Sequence, residues 1–150
     1  MRTLVFEGVD APRMEIVHVH SPQRARGTQV GLVYELRWDL DGATLTVDAG
    51  TGPIRHHLDG ADFFDLEHSA YFNSLPVWRD GLLTDGATAR DYTMRFVAVP
   101  SLTATLLRQR YTPRGGRTVE YRAGDYVGDI DFDADGLVVD YHGYLRRLRP

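Results

Sequence analysis

Cysteine is absent from the chain, and so is lysine: all 17 basic residues are arginine. Without cysteine there is no disulfide, no thiolate metal ligand and no thiol nucleophile. Without lysine there is no Schiff-base chemistry and no phosphate-loop lysine. No run approaches the roughly 20 apolar residues of a membrane-spanning helix, so no membrane span is expected. The N-terminal segment has Arg2 but no long apolar core, and Glu7 and Asp10 interrupt it. It reads as a strand and not as a signal peptide, which makes the cytoplasm the expected compartment. Positive charge is not in excess either. At a net −4 the chain is not expected to bind nucleic acid, which needs cations facing phosphates. The nucleophile elbow G-x-S-x-G, the zinc motif H-E-x-x-H and a glycine-rich phosphate loop are all missing.

What the chain does have is alternation. Val30, Leu32, Tyr34, Leu36, Trp38 and Leu40 occupy every second position, which puts them on one face of an extended strand. Asp41-Gly42 then accepts the positive φ of a tight turn, and the pattern resumes at Ala43, Leu45 and Val47. Similar runs surround Leu4 and Phe6, then Ile16 and His18, then Ile54 and His56. Others hold Met94 and Phe96, Leu102 to Leu106, Val119 and Tyr121, Ile130 and Phe132, and Val139 and Tyr141. That makes nine or ten strands with turn signals between them and no crossover helix, so the expected fold is all-β, an antiparallel roll, barrel or sandwich. A chain of 150 residues is most simply one domain.

Two stretches break the alternation. Residues 21–27 are polar and hold Pro22, Arg24 and Arg26, so a mobile loop is expected there. Residues 67–89 are long and mixed, and any short helical turns are expected in them.

Several groupings could carry chemistry. Asp131, Asp133 and Asp135 before Gly136 resemble the start of a calcium loop, but the twelfth position is His142 where a bidentate Glu is needed. A hairpin with solvated aspartates and no metal is expected. His18 and His20 share a strand face and could share a metal with His56, against the plainer reading of half-buried or surface histidines. The run through Leu102, Ala104 and Leu106 continues on the same face to Arg108 and Arg110, a pattern that could cross from core to pocket mouth. The competing reading pairs these arginines with acidic neighbours on a solvated face. Arg146, Arg147 and Arg149 read as a solvated tail.

Three segments together resemble the putative glycolipid-binding family. Asp65-Leu66-Glu67-His68-Ser69 running on to Asn73-Ser74-Leu75-Pro76 resembles the family's D-x-x-x-S run and the N-[ST]-L-P that follows it. Val97-Ala98-Val99-Pro100-Ser101-Leu102 followed by Gln109-Arg110-Tyr111-Thr112 resembles V-x-V-P-x-L and Q-R-Y-[TR]. Asp135-Gly136-Leu137-Val138-Val139-Asp140-Tyr141 resembles D-G-L-V-x-D-Y, with His142 and Tyr144 standing where the family has Pro and Leu. The resemblance implies a many-stranded β-roll, likened in shape to carriers of lipids and lipoproteins. It supplies no catalytic residues.

The residue pattern and the resemblance meet in one expectation: a non-enzymatic protein that holds a lipid, glycolipid or similar amphipathic small molecule in a β-roll pocket. Tyr34, Leu36, Trp38, Met94, Phe96 and Tyr141 would face inward, where acyl chains could lie. Trp38 and Tyr111 could stack on a sugar. Asn73, Gln109 and Arg110 would orient the ligand at the mouth, beside Leu75. A filled core asks for the same apolar residues. No cofactor is expected, and a homodimer stays open. An enzyme on a small hydrophobic or sugar-bearing substrate, and a solid-core partner-binding domain, are the alternatives.

Overall fold

The structure is a computed structural model and describes residues 2–19, 23–29 and 32–149, without the side chains of 27–29, 32–35 and 149. His20 and Val30 lie outside the described residues, and so does the side chain of Tyr34. The described residues form one sheet of thirteen strands in the order β6-β5-β4-β3-β2-β1-β13-β12-β11-β10-β9-β8-β7. It is two meanders joined side by side. The first is β1 (Arg2–Gly8), β2 (Met14–Val19), β3 (Gln23–Gln29), β4 (Leu32–Asp41), β5 (Thr44–Asp48) and β6 (Pro53–His57). The second is β8 (Arg90–Val97), β9 (Ala104–Pro113), β10 (Thr118–Ala123), β11 (Tyr126–Phe132), β12 (Val138–Tyr141) and β13 (Leu145–Arg149). Strand β7 (Phe63–Leu66) adds the last edge and pairs in parallel with β8. The all-β, chiefly antiparallel class is as expected. The sheet is open and does not close into a barrel.

Cross-strand pairing explains the interior of the first meander. Leu4 pairs with Val17, Val17 with Ala25, Ala25 with Trp38 and Trp38 with Val47, and all five are buried. Ala25 is small, which leaves room beside it for the Trp38 indole. It also explains why β3 was expected as a loop. Its described inward residue, Ala25, is small, and Arg24 and Arg26 beside it point outward. Residues 23–29 are a strand.

Two other strands escaped the alternation. β7 is only four residues long, and its last three are buried, so it has no period to read. β13 is no solvated tail: it lies between β1 and β12 near the middle of the sheet. Arg147 is buried in an ion pair with Asp133 at 2.9 Å, and Arg146 pairs with Glu7. Asp131 and Phe132 end β11, and residues 133–137 form the expected turn into β12, but Asp133 is not solvated. It accepts the backbone N–H groups of Asp135 and Leu137 as well as Arg2 and Arg147.

The long segment after β7 enters the roll as a plug. Residues 71–73 make a 3₁₀ turn and α1 (Ser74–Asp80) follows, ending where Gly81 takes the left-handed conformation. Tyr71 and Phe72 pack on Trp38 with ring centroids 5.3 and 4.8 Å away. Two anchors hold α1. Trp78 Nε1 donates to the Asp135 carbonyl at 2.7 Å, and Tyr92 Oη donates to Asp80 at 2.7 Å. Gly136 is obligatory here, because its φ is 75° and a Cβ would come within 2.7 Å of the Trp78 indole nitrogen.

Candidate functional site

The second meander is not full. A cavity of about 410 Å³ opens between the plug and the strands β7 to β12. Its floor carries Asp65 at the end of β7, with Ser69 and Asn73 from the plug; its walls carry Tyr121, Tyr126, Tyr141 and Tyr144. Phe96 and Leu107 add apolar surface, and Asp10, Glu67 and His68 complete the polar rim.

The tyrosines reach this place by strand register. Tyr111 pairs with Tyr121, and Tyr121 with Gly128. Gly128 has no side chain, and the Tyr126 ring lies over it: a Cβ there would come within 3.1 Å of the Tyr126 hydroxyl. The rings meet edge to face, with Tyr121 and Tyr141 centroids 5.8 Å apart and Tyr141 and Tyr144 5.0 Å apart. The Tyr144 hydroxyl and His68 Nδ1 share a hydrogen bond of 2.6 Å. His68 itself sits at a φ of 66°, a left-handed position that a non-glycine residue rarely takes.

Asp65 is buried, and burial pushes its carboxyl up to about 7, against the hydrogen bond from Gln109 that favours the charge. Gln109 Nε2 donates to Asp65 Oδ2 at 2.6 Å. Asn73 Nδ2 donates to the Tyr111 hydroxyl at 2.9 Å, and that hydroxyl leans on Gln109 Oε1 at 3.4 Å. Asp65, Gln109, Tyr111 and Asn73 are therefore one buried polar network. Burial raises the Tyr121, Tyr141 and Tyr144 hydroxyls far above their ordinary range, and the Asp65 charge adds to it. Burial lowers His68.

The expected site residues divide into three groups. Asn73 and Tyr141 line the cavity, and Gln109 and Tyr111 stand directly behind it. The segments around Asn73 and Gln109, far apart in sequence, do meet. Trp38 and Leu75 belong to the core: Trp38 is covered by the plug and donates to Glu15 at 3.0 Å, and Leu75 packs against the core from α1. The inward face of Leu36 and Trp38 is thus closed to an acyl chain. Arg110 is on the outer surface, paired with Asp91 at 2.9 Å. The phase of β9 is the opposite of the expected one: Gln109 and Tyr111 point inward, while Leu106 is 62% exposed. Leu107 stands opposite the buried Met94, which sets that phase.

The cavity also uses residues the sequence reading passed over: Asp65, Tyr121, Tyr126 and Tyr144. A signal for them existed. Half of the chain's 8 tyrosines fall between positions 121 and 144. His18 and His56 stand on β2 and β6, with three strands between them, and do not meet. Asp131, Asp140 and His142 bring ligand atoms within 4.8 Å of one another on the surface. The Asp131 carboxylate already holds His142 at 2.7 Å and raises its pKa, so the pair is an ion pair first.

Among the described residues no helix is long and apolar enough to cross a membrane. A comparison with curated proteins finds no match. Among solved structures, the crystal structure of a DUF1089-family protein from Pseudomonas aeruginosa is similar, at 20% identity and a TM-score of 0.72 over 91% of this chain and 92% of that one. At that identity the likeness speaks for the fold. The family model described as "Putative glycolipid-binding" matches residues 13–147, and the chain belongs to that family.

Proposed function

We propose that the chain is a non-enzymatic binding protein, and that the tyrosine-walled cavity holds the polar head of a lipid, glycolipid or similar amphipathic molecule. The observation that carries this reading is the cavity itself. At about 410 Å³ it lies in the range of small-molecule sites, roughly 300–1,000 Å³. Its ring faces and Leu107 suit the apolar face of a sugar or the first methylenes of a tail. Asp65, Ser69 and Asn73 offer hydrogen-bonding groups at the floor. A whole acyl chain does not fit beside Trp38, because Tyr71 and Phe72 occupy that side. The head enters and the tail stays nearer the mouth.

The test combines native mass spectrometry of gently purified protein with displacement of a fluorescent lipid analogue. Retained amphipathic ligand is expected, with displacement weakened severalfold in Tyr141→Ala and unchanged in Arg110→Ala. If a broad lipid panel displaces nothing, or Tyr141→Ala matches wild type, this reading fails.

One observation favours a second reading, an enzyme on a sugar-bearing substrate. A carboxyl held at about 7 inside a cavity is what a general acid needs. Turnover of chromogenic glycosides that is lost in Asp65→Asn would put this reading first.

A further inference from the structure

We propose that the cavity selects an organic ammonium group: the ligand that fits it carries a positive charge on its head. This deepens the reading of the cavity as the ligand site and rests on it.

Three carboxylates line the cavity, those of Asp10, Asp65 and Glu67, and no arginine among the described residues does. Arg13 is the nearby guanidinium, and it is held at the rim, where it neutralises Asp10 and leaves Asp65 and Glu67. It pairs with Asp10 and lies over the Tyr144 ring at 4.7 Å. His68 is held neutral by burial. Glu67 accepts the Val99 N–H at 3.0 Å, and the His68 imidazole lies 3.8 Å from it. Asp65 has the Gln109 amide and a backbone N–H as partners and, among the described residues, no ion-pair partner. A buried carboxylate without a cation is unfavourable, and a bound cation relieves it.

The walls have matching chemistry. Four tyrosine rings border the space; Arg13 already covers the Tyr144 face, and the π faces of Tyr121, Tyr126 and Tyr141 attract an ammonium group within about 6 Å of a centroid. Burial above all, with the Asp65 charge adding to it, keeps the Tyr121, Tyr141 and Tyr144 hydroxyls protonated, so the rings remain neutral. An anionic head would meet carboxylates with no guanidinium fork to hold it. A neutral sugar would leave Asp65 as it found it.

Linkage gives the inference a signature. The groups acting on Asp65 are Glu67 on its own segment, Tyr111 on β9, Tyr121 on β10, Tyr141 on β12 and Tyr144 before β13. Burial brings the Asp65 carboxyl itself up to about 7. A cation stabilises the ionised form, so binding releases a proton and tightens as pH rises through about 7. A neutral ligand that accepts a hydrogen bond from protonated Asp65 would show the reverse.

The experiment is calorimetry with choline and with 3,3-dimethylbutan-1-ol, its uncharged counterpart of the same shape, at about pH 6.5 and about pH 8 in two buffers of different ionisation enthalpy. Choline is expected to bind at least about tenfold tighter than the alcohol, a difference of about 1.4 kcal/mol. Its affinity should rise severalfold toward pH 8, with proton release to the buffer. Asp65→Asn, checked by thermal melt, should abolish both the preference and the pH dependence. Decyltrimethylammonium below its micelle concentration separates the sources: tighter binding than choline indicates a lipid head, and equal binding a free amine. Equal affinity for choline and the alcohol overturns the inference, as does no choline binding, or binding that weakens toward pH 8. If a lipid panel then binds without regard to head charge, the wider reading stands alone. If no lipid binds, both fall.

Discussion

Among the described residues, the first meander and the half of the sheet that β7 edges each bury one carboxyl group, and burial pushes both up to about 7. In the first, Glu15 receives the Trp38 indole N–H at 3.0 Å and the Ser69 hydroxyl at 2.8 Å, and packed side chains close around it. In the second, Asp65 receives the Gln109 amide and faces open space. The same displacement therefore has two meanings. Glu15 ties the plug to the strand face it covers, and its protonation concerns folding alone. Asp65 stands at a wall where a ligand can alter its protonation. A shifted pKa becomes informative about function only when joined to the question of what else can reach the group.

The largest expected effect tests the filled half. Trp38→Ala removes the indole from beneath Tyr71 and Phe72 and should cost about 3–5 kcal/mol in denaturant unfolding. Fluorescent-lipid affinity of the folded fraction should change little, and a selective loss of affinity would erase the distinction between the halves.

Next comes pH. Glu15 and Asp65 bind a proton more tightly folded than unfolded, so stability is greatest below their unfolded values and falls as pH rises toward about 7. Asp133, held below the usual carboxylate range by its hydrogen bonds and Arg147 despite partial burial, acts in the opposite sense and loses its contribution in strong acid. Maximum stability is expected on the acid side of neutral, near the ordinary carboxylate range. Glu15→Gln copies the protonated form and should gain roughly 3 kcal/mol at alkaline pH, read by urea titration across the pH range. An amine that binds the cavity should reduce the pH slope left by Asp65 and leave that of Glu15 unchanged.

A smaller effect probes the network behind the cavity. Tyr111→Phe deprives buried Asn73 of its acceptor and should cost about 1–3 kcal/mol by thermal melt. The smallest is a control. Arg110→Ala breaks an exposed pair with Asp91 and should change stability by less than about 1 kcal/mol, with ligand affinity unaltered. A large change in affinity would mean that the outer face takes part in binding.

How far the sequence reveals this arrangement depends on what each strand buries. β4 is legible because Leu36, Trp38 and Leu40 are large and alternate. β3 is not, because its partner position under Trp38 requires a small residue. β9 misleads because Leu106 is outside while a polar Gln109 is inside, and only the register with Met94 on β8 reveals the phase. The approach of Asn73 to Tyr111 was readable as a motif. The carboxylate they share through Gln109 was within the same motif, but its meaning depends on burial and on the absence of a cation, which no spacing displays.

The strand order has a consequence for how the chain acquires its structure. Every pair of adjacent strands is also consecutive in the chain, with one exception, β1 beside β13. The two meanders can therefore grow by closing short loops. The seam must bring together segments such as Phe6 and Arg147 from nearly opposite ends, at an entropic cost about 2 kcal/mol above that of a ten-residue loop. Loop-closure entropy therefore predicts that the hairpins nucleate first. Annealing of the seam, with Glu7–Arg146 and Arg2–Asp133 bridging it, is the late, topology-limited step that turns two ribbons into one sheet.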